Sequence, residues 1–100
     1  MDKAEENTLV KKLVKMNESA WEFFCNHFSP LLMEFVTFRF SCSKDVSEEV
    51  VQMTFIRCVK SIRTFDPKRG RLFQWLKAVA SNEGHTYLQR EAKSTLWILH

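Results

Sequence analysis

The sequence has few of the residues that interrupt regular structure: it contains two glycines and two prolines among 100 residues. β-Sandwiches and barrels need both residues for their many turns, so this scarcity argues against them and favours long helices with short connections. The longest apolar runs have four residues, far fewer than the roughly 20 that a membrane-spanning helix needs. The first twelve residues are polar and charged, unlike a signal peptide. We therefore expect a cytoplasmic, mostly helical domain without membrane insertion.

The sequence also lacks the cysteine pattern of a disulfide-stabilised fold. Cys25, Cys42 and Cys58 are an odd number at wide spacing, without a CxxC pair. Cys25 and His27 are two residues apart and so point to different sides of a helix, which disfavours a shared metal. We interpret the cysteines as reduced thiols, with Cys25 and Cys58 in helix cores, in preference to a metal or redox role. No metal or cofactor is expected.

Sequence motifs for catalysis are missing as well. There is no glycine-rich phosphate loop, no nucleophile elbow and no HExxH motif. The three histidines are scattered, and the carboxylates are concentrated in the N-terminal half on faces that we predict to be exposed. The sequence therefore predicts a protein that is not an enzyme.

Charge is divided unevenly along the chain, although the formal net charge is only +3. Residues 1–59 carry seven basic and nine acidic residues, whereas residues 60–100 carry eight basic and three acidic ones. A basic half suits a polyanion, because each neutralised phosphate releases condensed counterions. A solvated basic surface explains the same count equally well.

Hydrophobic periodicity predicts an all-α fold, a compact bundle of about four helices with short connections. The first helix is predicted over about residues 5–16, with Leu9, Leu13 and Met16 on its apolar face. The second begins after Asn17, a predicted N-cap, and carries most of the aromatic residues. Pro30 lies inside it, so we expect a kink or a break near residue 29.

The third helix is predicted to begin near Asp45, because Asp45 and Glu48 have the spacing of a capping box, and to end before Pro67. Its apolar stripe consists of Val51, Phe55, Cys58 and Ile62. A loop at residues 66–70 precedes a fourth helix that reaches about residue 91. The apolar face of that helix consists of Leu72, Leu76, Val79, Ala80 and Tyr87. We expect one domain over residues 1–92 and the start of an interdomain linker or C-terminal tail at residues 93–100.

The face of the third helix opposite its apolar stripe is not purely polar. Its candidate binding residues are Glu48, Glu49, Gln52, Met53 and Ile56. Met53 and Ile56 are apolar and three residues apart on a side that should face solvent, which indicates a protein-binding patch. Burial of the helix on both faces explains the same pattern.

The fourth helix has a line of donors and a cation without a carboxylate. The line consists of Gln74, Lys77, Ser81, His85 and Gln89, with Asn82 at its edge. An asparagine can pair with a base edge, and the cations of the adjoining loop, Lys68, Arg69 and Arg71, can hold phosphates. The alternative is a polar solvent face with a kink at Gly84. For Glu83, which projects toward the apolar side, the suggested partner is Arg90.

Several segments together resemble region two of bacterial RNA polymerase sigma factors of the extracytoplasmic-function (ECF) class. The segments are 47–55 (SEEVVQMTF), 65–70 (FDPKRG), 75–76 (WL), 80–82 (ASN) and 87–88 (YL). Each is ordinary alone, but their order and spacing are specific, and the resemblance spans about residues 9–90. It implies a transcription initiation factor that binds core RNA polymerase and recognises and helps to melt the minus-ten promoter element.

The resemblance implies a role for each candidate surface. Glu48, Glu49, Gln52 and Met53 correspond to the segment that contacts the β′ clamp helices of core polymerase, and the patch adds Ile56. The loop at residues 67–71 and the helix through Asn82 correspond to the element that holds a flipped base of the nontemplate strand. The predicted DNA-binding residues are therefore Lys68, Arg69, Arg71, Gln74, Lys77, Ser81, Asn82, His85 and Gln89.

Departures from the family pattern affect specificity more than fold. Met53 stands where an acidic residue is usual, Leu72 where Phe is frequent, and Thr86 where Asp is frequent. A complete ECF sigma factor also has a second domain that reads the minus-thirty-five element. These residues do not contain that domain, so we expect the chain to be part of a longer protein.

Two other functions fit parts of the pattern. A sigma-like interaction module, such as a decoy bound by an anti-sigma factor, would bind a partner without promoter activity. A generic basic helical bundle would bind duplex DNA, but it would leave the outward-facing Met53 and Ile56 without a role.

Overall fold

The computed structural model describes residues 1–99, which form four α-helices and one short 3-10 helix. The elements are α1 (Lys3–Val14), α2 (Glu18–Phe40), α3 (Lys44–Ser61), the 3-10 helix (Ile62–Thr64) and α4 (Leu72–Leu99). No strand occurs among the described residues, and the predicted all-α bundle of about four helices is confirmed. No helix in this part of the chain is both long enough and apolar enough to cross a bilayer.

Polar side chains fix the starts of the first two helices. The carboxylate of Asp2 accepts the backbone N–H of Glu5, whose own side chain accepts the N–H of Asp2, so α1 begins with a capping box. The predicted cap of α2 is confirmed, since Asn17 Oδ1 accepts the N–H of Ala20 at 2.9 Å. These bonds satisfy N–H groups that have no partner within the helix.

α3 begins at Lys44, within one residue of the predicted start, but the predicted N-cap is wrong. Ser43, not Asp45, is the N-cap, and its hydroxyl accepts the N–H of Val46 at 3.2 Å. Asp45 lies inside the first turn, where its negative charge is still favourable beside the positive end of the helix dipole. The serine was missed because either side chain can cap, and only the backbone conformation selects between them.

Two further helix boundaries differ from the predictions. α1 ends at Val14, and Met16 has a left-handed backbone with φ of 61° and a side chain that is 52% exposed, so it does not extend the apolar face. α4 continues past residue 91 to Leu99, because no glycine or proline follows Gly84 to stop it. The division of the chain into residues 1–92 and 93–100 stays a prediction, and His100 lies outside the described residues.

Pro30 does not break α2, which runs without interruption from Glu18 to Phe40. A proline inside a helix removes one N–H donor and leaves the carbonyl four residues earlier without its usual partner. Both Pro30 and Asn26, which carries that carbonyl, are exposed, so water can hydrate the freed group. The aromatic packing of α2 on both sides of the proline offsets the remaining cost.

The core is centred on α2, which packs against all three other helices. Phe24, Leu32 and Val36 are fully buried, and Phe28 is 4% exposed. The aromatic contacts reach two partners: Phe24 meets Phe55 of α3 at 5.7 Å between ring centroids, and Phe28 stacks on Phe73 of α4 at 5.8 Å. Burying one such side chain contributes about 1.5–3 kcal/mol. These contacts fix how α3 and α4 are presented to solvent.

The three cysteines are free thiols in this fold. Cys58 is fully buried, as predicted, whereas Cys25 is only half-buried. Burial raises the pKa of the Cys58 thiol to about 12, and it also raises the pKa of Cys25. Both thiols are therefore neutral near pH 7 and act as small apolar side chains.

Candidate functional site

The segment between the 3-10 helix and α4 is an ordered turn with exposed cations. Asp66 organises it, because its carboxylate accepts the N–H of Lys68 at 3.0 Å and its carbonyl accepts the N–H of Arg69 at 3.0 Å. The Arg69 guanidinium lies 3.7 Å from the Asp66 carboxylate, but the Arg69 side chain remains 88% exposed. Lys68 is also exposed. Lys68 and Arg69 are thus held in place by their backbone while their side chains face solvent.

A pocket of about 270 Å³ lies between this segment and the first turn of α4. Its aromatic wall consists of Phe65 and Trp75, whose ring centroids are 5.9 Å apart. The indole N–H of Trp75 donates to the hydroxyl of Thr64 at 3.3 Å, which fixes the orientation of the ring. Asp66, Arg69, Arg71 and Gln74 add polar groups to the lining. The pocket therefore combines flat apolar surface with two cations, an amide and one carboxylate.

Two predicted DNA-binding residues make internal hydrogen bonds next to this pocket. The Arg71 guanidinium donates from Nε to the carboxylate of Glu6 and from Nη2 to the carbonyl of Met1 at 2.8 Å. The side-chain oxygen of Gln74 accepts the backbone N–H of Arg71 at 3.1 Å. Glu6 is 5% exposed, so the expectation that the N-terminal carboxylates are exposed is wrong for this one. Arg71 and Gln74 hold the start of α4 in place.

The polar line of α4 consists of an exposed strip and two half-buried residues. Gln74, Asn82, His85 and Gln89 are exposed, while Lys77 and Ser81 are half-buried. The Lys77 ammonium lies over the rings of Phe73 and Phe35, 5.3 and 5.8 Å from their centroids. Lys77 therefore contacts an aromatic ring of α2, whereas Asn82 faces solvent.

Gly84 has a packing role that the periodicity did not show. A Cβ atom at Gly84 would lie 2.3 Å from Cε2 of Phe40, so the Phe40 ring packs directly on the α4 backbone and would have to move to admit a side chain. His85 contacts the same ring edge-on, with 5.3 Å between centroids. α4 is continuous through this point, and the glycine serves close approach rather than a break in the helix.

The suggested partner of Glu83 is wrong. Arg57 of α3 donates from Nε to Glu83 Oε1 at 3.0 Å, and the Glu83 side chain is only 12% exposed. The pair links α3 to α4 across 26 positions of sequence, so no local spacing could have indicated it. Its charge-assisted bond helps to fix the angle between the two helices.

The outer face of α3 is accessible over most of its length. Glu48, Glu49 and Gln52 are exposed, and Ile56 is 58% exposed. Met53 is half-buried, so α3 does not bury this second face beneath another helix. The face continues into a groove of about 780 Å³ shared with α2, which contributes Asn26, Ser29 and Met33. These α2 residues were not predicted, because only the packing of α2 on α3 brings them to this surface.

Fold and surfaces together define a helical binding module with one acidic-apolar face and one basic, aromatic-lined pocket. Residues 25–94 match the family model described as Sigma-70 region 2. This match covers more than half of the chain, so the chain belongs to the sigma-70 region 2 family, and its function is promoter recognition in transcription initiation.

A solved structure has the same fold. It is the NMR structure of the complex formed by an engineered region 2 of sigmaE with GTAAAA, and the two chains superpose with a TM-score of 0.78 at 20% sequence identity. The match covers 89% of this chain and 90% of that one. No curated protein matches the sequence significantly. The resemblance to region two stated from the sequence is confirmed, although the family model begins at Cys25 and does not include α1.

Proposed function

We propose that this chain is region two of an ECF-class sigma factor that binds the β′ clamp helices of core RNA polymerase and captures an unpaired nontemplate base of the minus-ten element. The observation that carries the proposal is the pocket whose aromatic wall is formed by Phe65 and Trp75, next to the exposed Lys68 and Arg69 of the turn before α4. The proposed ligand is single-stranded DNA, and the proposed location is the cytoplasm, where transcription takes place.

Capture of a base requires that the protein offset the loss of stacking in the duplex. Extrusion of one base costs a few kcal/mol, whereas stacking on an aromatic side chain contributes about 1–3 kcal/mol per base. Phe65 and Trp75 offer that surface, and the hydrogen bond from Trp75 to Thr64 orders the ring before binding. Because the pocket is ordered before binding, capture of the base does not carry the additional entropic cost of ordering these side chains.

The exposed strip of α4 would guide the strand beyond the pocket. Asn82 is eight residues from Gln74, which places it about 12 Å further along the helix axis. Its amide both donates and accepts, so it can read a base edge, while Lys68 and Arg69 neutralise phosphates without sequence preference. Ser81, His85, Gln89 and the cation of Lys77 border the same path. The sigmaE relative was solved in complex with GTAAAA, which supports a short nucleotide sequence as ligand.

The proposed polymerase contact uses the other surface. Glu48, Glu49 and Gln52 would supply the polar part, and Ile56 with the half-buried Met53 the apolar part. A contact with an apolar centre and a charged rim is the usual anatomy of a protein interface. The proposed polymerase contact and the proposed base pocket therefore use different residues.

Binding to a library of labelled single-stranded hexamers, with duplex as competitor, tests the DNA proposal. We expect single strands to bind in preference to duplex, Asn82→Ala to reduce discrimination among hexamers, and Lys68→Ala to weaken all hexamers alike. Equal losses on every hexamer from both changes would contradict base reading by Asn82. Preference for duplex would contradict the proposed function.

Pull-down of core polymerase tests the protein surface. We expect Ile56→Asp to reduce binding at least tenfold, because it places a charge in the apolar centre. Leu31→Asp on α2 is the matched control, since Leu31 is similarly exposed, at 46%, but does not lie on the outer face of α3. A promoter-dependent transcription assay with the full-length protein separates the proposal from its alternative. Core binding without initiation would favour an anti-sigma target or decoy.

A further inference from the structure

The start of α1 contacts the segment that forms the base pocket. Lys3 Nζ donates to the carbonyl oxygen of Gly70 at 3.0 Å and to that of Pro67. These two carbonyls lie on either side of Lys68 and Arg69, the exposed cations of the turn. One ammonium group thus bridges both ends of the turn, and α1 supplies it from more than 60 positions away in the sequence.

A second link is an ion pair at the other end of the same segment. Glu6 lies one turn after Lys3 on α1, and its carboxylate, which is 6% exposed, accepts from the Arg71 guanidinium. The guanidinium also donates to the Met1 carbonyl. A buried carboxylate is stable only when it is paired, so Glu6 requires Arg71 in this position. Arg71 in turn is the last residue before α4 begins at Leu72.

The two links leave the turn little freedom of its own. Within the turn, Asp66 accepts the N–H of Lys68 and Gln74 accepts the N–H of Arg71, and both bonds are exposed to solvent, as are the Lys3 contacts. Exposed bonds open readily, so the part-buried Arg71–Glu6 pair is the stronger of the two links. α1 also packs on the 3-10 helix that precedes the turn. α1 therefore packs on the chain just before the turn, contacts the turn through Lys3 and contacts its last residue, Arg71, through Glu6.

We propose that α1 is a clamp that positions the base-capturing turn, with Lys3 and Glu6 as positioning residues that do not touch DNA. Its consequence for DNA binding rests on the function proposed above. Lys3 and Glu6 lie outside the segment matched by the family model. It lowers the cost of base capture because the turn is ordered before the strand arrives.

NMR relaxation of the whole chain without DNA tests the clamp directly. In Glu6→Gln and in Lys3→Met we expect the backbone order parameters of residues 66–71 to fall from rigid values of about 0.85 to below about 0.6. Lys3→Arg should restore them, because it returns a cation. The matched controls are Lys11→Met on an exposed part of α1 and Glu22→Gln on α2, and neither should change the turn. Unchanged order parameters in both clamp variants would overturn the inference.

Binding supplies the readout that general destabilisation would not produce. With the best hexamer of the library and the same hexamer carrying an abasic site at the captured position, we expect Glu6→Gln to reduce discrimination about tenfold, which equals about 1.4 kcal/mol. Binding is measured well below the unfolding midpoint of each variant. Equal weakening of both hexamers would mean that Glu6 acts only on overall stability, and would overturn the positioning role.

The two proposals can fail separately. If the unmodified chain binds no single strand, the proposed function is wrong, while the order parameters still decide whether α1 holds the turn. If it binds and discriminates, and Glu6→Gln and Lys3→Met discriminate equally well, the clamp inference is wrong and the proposed function stands.

Discussion

The outer face of α3 and the turn before α4 are both charged and accessible, but different contacts hold them in place. On α3 the helix backbone fixes the side chains, and the Lys44–Glu48 ion pair on that face is an exposed contact of 4.0 Å. Before α4, polar contacts from a distant helix determine where the chain runs, and Arg71 is engaged with a buried carboxylate. The charges on the outer face of α3 therefore remain exposed to a ligand, whereas in the turn Arg71 is engaged by Glu6.

Removal of Arg71 should have the largest effect on stability, because it breaks the contact that holds the turn to α1. Arg71→Ala leaves the buried Glu6 carboxylate without its partner, and we expect the free energy of unfolding to fall by about 2–3 kcal/mol. Urea denaturation followed by circular dichroism measures it. The control is Arg69→Ala, whose exposed ion pair should contribute less than about 0.5 kcal/mol. Similar small losses in both variants would show that the turn is not tied to α1.

Gly84→Ala tests whether the close contact between α4 and the Phe40 ring of α2 contributes to stability. The added methyl group would overlap the Phe40 ring, and overpacking of this kind costs typically about 1–3 kcal/mol, against which alanine recovers up to about 1 kcal/mol of helix propensity. We expect a net loss of about 1–2 kcal/mol in thermal or urea unfolding. Ala78→Gly, on the exposed side of α4, is the complementary control and should lose only the propensity. A stabilised Gly84→Ala variant would contradict the close approach.

Lys68→Ala tests the difference between Arg71, which holds the chain in place, and Lys68, which is proposed to contact DNA. Lys68 is exposed, and among the described residues its side chain makes no hydrogen bond or ion pair. We therefore expect stability within about 0.5 kcal/mol of the unmodified chain. The slope of log affinity for single strands against log salt should become shallower by about 0.7. Titrations at several salt concentrations measure it. An unchanged slope would remove Lys68 from the strand path.

The smallest effect is expected on α3. Glu48→Ala removes an exposed i,i+4 pair with Lys44 that is worth at most about 0.5 kcal/mol, so unfolding should hardly change. Polymerase affinity is expected to fall nevertheless, since Glu48 lies on the proposed interface. A loss of stability as large as that of Arg71→Ala would show that the two surfaces are held in the same way.

Local sequence signals were sufficient for the helices and for the exposed face of α3. Periodicity predicted four helices and the outward position of Ile56, and Asn17 was recognised as a cap because its side chain acts within one turn. The failures arose where alternatives were locally equivalent or contacts were distant. Ser43 and Asp45 are both good caps, and the break considered as one of two outcomes at Pro30 does not occur, because aromatic packing on both sides maintains the helix.

The DNA-binding role of the residues selected from the sequence stays a prediction, and the structure tests only their exposure and their contacts. Lys68, Arg69 and Asn82 are exposed, as a ligand surface requires. The burial of Glu6 and the partner of Glu83 could not be predicted, because each depends on a residue that only the packed bundle brings near. The aromatic wall of the pocket was missed for the same reason, since Phe65 and Trp75 belong to different segments.

The amino-acid sequence by itself determined that this chain forms amphipathic helices, that its basic residues lie in the C-terminal half, and that α3 carries an apolar-acidic outer face. Each of these depends on residues within a few turns of one another. Only the tertiary structure decided which cations remain free, which carboxylate is buried and where a pocket forms. Those outcomes depend on desolvation and on contacts between distant segments, and such energies exist only after the helices have packed.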